Sequence, residues 1–129
     1  MTSPASAALR FGAAALIAQL VLQFVWHAWL VPVPQPALAL AVVPLLPGLW
    51  VCMRNLSRGV LIGGIVSLFY FCHGVVELLG AGAWRLPAAA EVALAVAVVA
   101  ALGWEIRSAK ARKKKDPADP FTSAPNRRL

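Results

Sequence analysis

Four apolar stretches, separated by short polar or proline-rich breaks, occupy nearly all of the chain between Leu9 and Arg107. Of the 129 residues, 60% are hydrophobic and only 13% are charged, which is too apolar for an ordinary soluble domain. A helix crosses the hydrocarbon core of a bilayer, roughly 30 Å thick, with about 20 apolar residues. The sequence therefore predicts an all-α integral membrane four-helix bundle, with spans at about residues 9–31, 37–53, 59–80 and 87–105.

The breaks between the stretches carry the residues that end helices. The segment VPVPQP, residues 31–36, alternates proline with other residues and predicts a stiff extended connector. Pro44 and Pro47 fall inside the second stretch, where each removes a backbone donor, so we predict that the second helix is kinked. The domain organisation predicted is a short polar N-terminal lead at 1–8, a membrane domain at 9–107 and a basic, largely disordered tail at 108–129.

Basic residues are distributed unevenly over the two ends of the predicted bundle. Eleven of the twelve Lys and Arg residues lie in the N-terminal flank, in the turn between the second and third stretches, or in the tail, and only Arg85 lies on the other side. Because cytoplasmic segments carry an excess of Lys and Arg, we predict that both termini are cytoplasmic. Trp26 and Trp29 end the first stretch, so we expect their rings at the headgroups of the opposite surface.

A basic cluster follows the fourth stretch directly. A cluster in this position is typical of segments that bind anionic lipids, to which each Lys or Arg contributes about 1 kcal/mol. We interpret it as a cytoplasmic anchor on the lipid bilayer. Because the tail lacks interleaved aromatic residues and a nucleic-acid-binding fold, we expect no nucleic-acid partner. The anchor comprises Arg107, Lys110, Arg112, Lys113, Lys114 and Lys115.

Several polar residues lie within the apolar stretches, where each needs a partner or a function. In the first stretch they recur at every fourth position, and in the third they are spaced by three and four, so each set follows one helix face. The predicted topology brings both sets, together with an acid at the start of the fourth stretch, near the same membrane surface. The candidate site is a cluster of Gln23, His27, Tyr70, His73, Glu77, Arg85 and Glu91.

Two interpretations of this cluster stay open, and we favour the first. As an interhelical clamp, its members hydrogen-bond across the bundle, each bond contributing about 0.6 to 2 kcal/mol. As a pocket for protons or cations, Glu77 and Glu91 act as acids, with His27 and His73 as titrating partners. A metal site is a weaker interpretation, resting on the spacing of His73 and Glu77. No residue has the neighbours that covalent catalysis needs, so we expect no catalytic residue. The chain carries no complete metal-binding or nucleotide-binding signature, so we expect no metal or cofactor.

Small residues form two further stripes. Gly59, Gly63 and Ser67 recur at every fourth position of the third stretch. The fourth stretch has alanines at the same spacing, from Ala89 to Ala101. Because small residues let helix backbones approach closely in membranes, we predict that the two stripes pack against each other.

Three segments together carry a resemblance to a known family: VPLLPGLW, then SLFYFCHGVVELLG, then a connector ending in Arg85 and the run AAAEVALAVAVV. From about Leu16 to Arg107, the chain resembles the small bacterial inner-membrane proteins grouped as domain of unknown function family 2069. The resemblance implies a compact four-span protein of the bacterial cytoplasmic membrane whose biochemical role is not established. It also implies that certain positions are important, namely Tyr70, His73, Gly74, Glu77, Arg85 and Glu91.

The favoured function is non-enzymatic. We expect a structural or accessory protein that binds anionic lipids, a membrane-protein partner or a second copy of itself, with the tail as an electrostatic anchor. The alternative is a small proton- or cation-coupled carrier, which would work as a dimer because four helices enclose little pathway alone. A membrane enzyme is the third hypothesis.

Overall fold

The described part of the protein consists of helices joined by short turns. The computed structural model describes residues 6–30, 34–80 and 82–115. Within them there is no β-strand, which confirms the predicted all-α fold. The elements are α1 at Ala7–Val25, a π-helix at Trp26–Leu30, α2 at Gln35–Val42, α3 at Leu45–Arg54, α4 at Leu56–Leu79 and α5 at Arg85–Lys115.

Four segments are long and apolar enough to cross a membrane, as predicted. Their mean hydropathies range from 1.7 to 2.1. The third begins at Leu56 instead of residue 59, and α5 continues beyond residue 105 to Lys115. The first five residues, part of the VPVPQP connector at 31–33, and the tail from 116 to 129 lie outside the described residues. The four segments are Ala7–Leu30, Gln35–Arg54, Leu56–Leu79 and Arg85–Lys114.

The second span consists of two helices. α2 ends at Val42, and α3 begins at Leu45 after a turn formed by Val43 and Pro44. Pro44 cannot donate a backbone hydrogen bond, which accounts for the end of α2 at this point. Pro47 lies in the first turn of α3, where N–H groups have no intrahelical partner, so it is accommodated inside a helix.

α4 lies at the centre of the bundle, packed against α1, α3 and α5, and α1 also packs against α5. The core between these helices contains Leu16, Leu45, Val60 and Val98, each with no exposed surface. α2 packs against α1 and the π-helix and contributes no buried residue. The first half of the second span therefore lies at the edge of the bundle.

A single residue, Asn55, joins α3 to α4. Its backbone is extended, with φ −150° and ψ 101°, and its side chain accepts a hydrogen bond from the Arg58 N–H at 3.1 Å. This is an N-cap, which begins α4 immediately after α3 ends. Because the link is so short, the two helices are close together here, and a Cβ atom on Gly59 would overlap backbone atoms of Cys52.

The prediction that the two small-residue stripes pack together is wrong for the stripe on α4. Gly59 faces α3, and a Cβ atom on Gly63 would overlap the side chain of Leu16 in α1. Ser67 donates a hydrogen bond to Gln19 Oε1 of α1 at 3.0 Å. This stripe therefore allows α1 and α3 to approach α4, because it lies on the face of α4 turned away from α5.

The contact between α4 and α5 uses other small residues. Gly64 faces Val98 of α5, and Gly74 faces the backbone of Ala88. On α5, Ala89 and Ala93 of the predicted alanine stripe are exposed. The spacing of small residues identified helix faces suited to close packing, but the sequence contains several such faces and does not say which neighbour each one meets.

Gly59 and Gly64 provide a matched test of this packing. We expect Gly59→Ala to lower the free energy of unfolding by about 1–3 kcal/mol, because the added methyl group meets the backbone of α3. At Gly64 a Cβ atom would lie 3.6 Å from the nearest side-chain atom of Leu102, an ordinary contact. Gly64→Ala is therefore expected to be neutral or to stabilise by up to about 1 kcal/mol. Unfolding midpoints in detergent measure the stability of both variants. Equal effects of the two substitutions would contradict the close approach of α3 and α4.

Candidate functional site

Four polar side chains form a cluster at one end of the bundle, where α1 and α4 end and α5 begins. Gln23 comes from α1, His27 from the π-helix, His73 from α4 and Glu91 from α5. We call these four residues the polar cluster. They come from three separated parts of the sequence, so the cluster exists only in the folded protein.

Glu91 is the centre of the polar cluster and has no exposed surface. Gln23 Nε2 donates a hydrogen bond to Glu91 Oε1. His73 Nδ1 lies 3.0 Å from Glu91 Oε2, so a proton is held between a ring nitrogen and a carboxyl oxygen. Both carboxyl oxygens therefore have a partner, and a buried carboxyl without partners would be strongly destabilising.

A glycine makes room for this carboxyl group. A Cβ atom on Gly74 would lie 3.1 Å from Glu91 Oε2 and 3.1 Å from the backbone oxygen of Ala88. Since both distances are tighter than ordinary contacts, a larger residue would displace the carboxyl or separate α4 from α5. Gly74, a position implied by the family resemblance, thus has a packing function.

His27 is held by the backbone rather than by an acid. Its Nδ1 atom lies 3.1 Å from the backbone oxygen of Gln23. A carbonyl oxygen can only accept, so His27 Nδ1 carries the hydrogen, and Nε2 makes no hydrogen bond among the described residues. The ring centroid of His27 is 6.1 Å from that of His73.

The π-helix that carries His27 was not predicted. Such wide turns are rare and are found often at functional sites. Within this one, Trp26 is only 3% exposed, and its ring centroid is 5.7 Å from that of His73 and 5.4 Å from that of His27. The Trp26 ring therefore faces the histidines inside the bundle, whereas Trp29 is exposed.

Tyr70 connects α4 to the outlying α2. Its hydroxyl donates a hydrogen bond to the backbone oxygen of Ala41 at 2.8 Å. Ala41 lies in the last turn of α2, whose carbonyl groups have no partners within the helix. The interruption of the second span leaves this carbonyl without a helical donor, and the Tyr70 hydroxyl supplies the hydrogen bond.

A cavity of about 640 Å³ lies between the second span, α1 and α4. Its polar side is formed by Gln23, His27, Tyr70 and His73. The rest of its lining is apolar and comes from Ala37, Leu40, Ala41, Pro44, Val66 and Phe69. Volumes of this size, with an apolar lining and a few convergent polar groups, are typical of small-molecule sites.

Three predicted site residues lie outside the polar cluster, and one of them, Tyr70, bonds to Ala41 instead. Glu77 is half-buried on α4, one turn beyond His73, and no hydrogen bond or ion pair to the cluster involves it. Arg85 is exposed at the first residue of α5. The predicted cluster therefore contained more residues than the helices bring into contact.

A second polar pair lies deeper and was not among the predicted site residues. Gln19, one turn before Gln23, has no exposed surface and accepts the hydrogen bond from Ser67. Its Nε2 atom is buried and has no partner among the described residues. The spacing of Gln19 and Gln23 was the available signal, because residues four apart lie on one helix face.

The basic residues at the end of α5 lie at the other end of the molecule. Those whose side chains are described are exposed, and Arg112 donates a hydrogen bond to Glu105 at 3.2 Å. For Lys115, the structure describes the helix but not the side chain. The exposed residues are Arg107, Lys110, Arg112, Lys113 and Lys114.

Among the described residues, no group of three His, Cys, Asp or Glu side chains could hold a metal ion. A protein-family model with the description "Predicted membrane protein (DUF2069)" matches residues 11–110, which is more than half of the chain. No curated protein and no solved structure matches. The resemblance noted in the sequence is thereby confirmed, and the family description contains no activity.

The polar cluster yields a stability prediction. We expect Glu91→Leu to lower the free energy of unfolding by about 1–3 kcal/mol, because it leaves the buried amide of Gln23 without an acceptor. The matched control is Glu77→Leu, which removes the same carboxyl group one turn from His73 but outside the cluster, and should change stability by less than about 0.5 kcal/mol. Thermal unfolding in detergent compares the two, and an equal loss would contradict the role of Glu91 in joining the helices.

Proposed function

The chain belongs to the DUF2069 family of predicted membrane proteins, and on that premise we propose that it is a non-enzymatic accessory protein of the bacterial cytoplasmic membrane. In this proposal the polar cluster is an interhelical clamp that holds α1, α4 and α5 together. The basic end of α5 then binds anionic lipid headgroups at the cytoplasmic surface, or an acidic surface of a membrane-protein partner or a second copy.

The continuity of α5 is the observation that carries this proposal. α5 is a single helix of 31 residues, about 46 Å long at 1.5 Å per residue. The hydrocarbon core of a bilayer is only about 30 Å thick, so one end of the helix extends beyond it. Arg107, Lys110 and Lys114 lie on one face of that extension, because they are spaced by three and four residues.

The proposed orientation has both termini in the cytoplasm. It is supported by the excess of Lys and Arg at the end of the bundle that contains Arg54, Arg58 and the end of α5. At the same end, the Arg54 guanidinium lies 4.5 Å from the centre of the Trp50 ring, an amphipathic pair suited to the headgroup region. In this orientation, the polar cluster and its cavity lie near the outer surface, and the turn at Pro44 bends the second span.

The packing of the core favours the accessory function over a carrier. Polar side chains extend from His27 along α1 as far as Gln19, and the next turn toward the cytoplasmic end presents the fully buried Leu16. Leu16 lies in an apolar core with Val60 and Val98. A proton- or cation-coupled carrier would have to open this core during each cycle. Proton flux into proteoliposomes that is lost in Glu91→Gln would favour the carrier hypothesis instead.

The basic end of α5 can be tested by a triple substitution in the full-length protein. We expect Arg107→Gln, Lys110→Gln and Lys114→Gln together to reduce the affinity for phosphatidylglycerol by about 100-fold, since each charge contributes about 1 kcal/mol. The matched control exchanges the basic residue types, as Arg107→Lys, Lys110→Arg and Lys114→Arg, and should bind normally. Titration of phosphatidylglycerol into the protein in neutral micelles, followed by thermal unfolding, reports the affinity.

Unchanged lipid affinity in the triple variant would contradict the lipid anchor. A protein partner would give a different result, namely a neighbour that is cross-linked to the wild type in native membranes and lost from the triple variant. If the triple variant keeps both its lipid affinity and its cross-linked neighbours, the accessory function as a whole is contradicted.

The orientation has its own test. Green fluorescent protein fused after Leu129 is expected to fluoresce, because it folds in the cytoplasm and not after export through the general secretory route. Alkaline phosphatase fused after Leu129 should be inactive, and the same enzyme fused after Gln35, between the first two spans, should be active. The reverse pattern would show that the bundle is inverted and that the basic end faces outward.

A further inference from the structure

The cavity beside the polar cluster has an opening toward lipid. Leu40 of α2 and Phe69 of α4 border it and are 76% and 75% exposed in the isolated chain. Both lie within spans, so in a membrane these exposed side chains face the hydrocarbon core. A molecule that enters the cavity between α2 and α4 therefore comes from the bilayer and has a large apolar part.

The polar side of the cavity offers hydrogen-bond acceptors and one donor. His27 donates through Nδ1 to the backbone oxygen of Gln23, so the Nε2 atom of a neutral ring is an acceptor. His73 and Glu91 share a proton between Nδ1 and Oε2, so in an uncharged pair His73 Nε2 carries a hydrogen and is a donor. The Tyr70 hydroxyl already donates to Ala41, so its remaining capacity is also to accept.

Charge balance favours an uncharged ligand. No Lys or Arg is among the described residues that line the cavity, and the carboxyl of Glu91 already interacts with His73. An anionic headgroup would have no guanidinium or ammonium group to balance it, and a cationic headgroup would have no carboxylate that lacks a partner. Moving an uncompensated charge into such a site is strongly unfavourable, whereas a neutral hydroxyl group can both donate and accept here.

We propose that this cavity binds a neutral lipophilic molecule whose polar end carries a hydroxyl group, which donates a hydrogen bond to Nε2 of His27 and accepts one from Nε2 of His73. The apolar part of the molecule lies against α2 and α4. The site is at the opposite end of the bundle from the basic residues of α5, so it does not depend on the lipid anchor.

Three photoreactive probes of equal chain length test this site in the wild-type protein. They are a long-chain alcohol that carries a diazirine, its methyl ether, and the corresponding carboxylic acid. The ether retains the acceptor oxygen and the chain but has lost the donor. One net hydrogen bond corresponds to about a two- to tenfold difference in binding, so cross-linking of the alcohol to peptides that contain Phe69 or Tyr70 should exceed that of the ether by this factor. An excess of the unlabelled alcohol should abolish the cross-linking of the alcohol probe.

Two variants locate the binding. His27→Phe keeps a ring but removes one acceptor, and should reduce the preference for the alcohol over the ether. Ala41→Trp fills the cavity and should suppress cross-linking of every probe, whereas Ala93→Trp, at an exposed position of α5, should have no effect. Thermal unfolding of each purified variant reports whether it is folded.

If a variant does not fold, the comparison of the three probes on the wild-type protein still tests the proposal. Equal cross-linking of alcohol and ether, without competition, would mean that bilayer acyl chains merely fill the cavity. Preferential cross-linking of the acid would mean that the site takes an anionic headgroup. Either result contradicts a hydroxyl-bearing ligand.

Discussion

The carboxyl group of Glu91 is the constraint on which the outer half of the bundle depends. Inside a bilayer no water is available to a polar group, so each one must find its partner within the protein. Glu91 has two oxygens to satisfy, and it does so with Gln23 of α1 and His73 of α4. Helix association in membranes lacks the hydrophobic driving force of soluble proteins, so such bonds and close packing determine which helices meet and in which rotation.

Close packing acts in the other half of the bundle, away from the polar cluster. There α3 and α4 approach through Gly59 and Cys52, and α1 meets α4 at Leu16 and Gly63. The two mechanisms are complementary because a helix face with glycine allows contact but does not select a partner by charge or hydrogen bonding. α2 has neither a buried residue nor a glycine, which is why it stays at the edge and a cavity remains beside it.

Features governed by length and by local chemistry could be predicted from the sequence. The four spans follow from stretches of about 20 apolar residues, and the helix face that contains Gln23 and His27 follows from their spacing of four. Helix rotation could not be predicted, because it depends on contacts between residues far apart in the chain. For that reason the sequence did not show that the Trp26 ring faces His73 inside the bundle, and Glu77 was expected in a cluster that it does not join.

α5 joins two regions whose interactions differ in range. Near its start, Glu91 acts over about 3 Å through directional bonds in a medium without water or salt. Near its end, exposed Lys and Arg side chains act on a charged surface over about 10 Å, and salt weakens that attraction. Added salt should therefore weaken the interactions of the basic end while leaving the polar cluster intact. Because one uninterrupted helix connects the regions, a change in the rotation or tilt of α5 at Glu91 would be transmitted to the face formed by Arg107, Lys110 and Lys114.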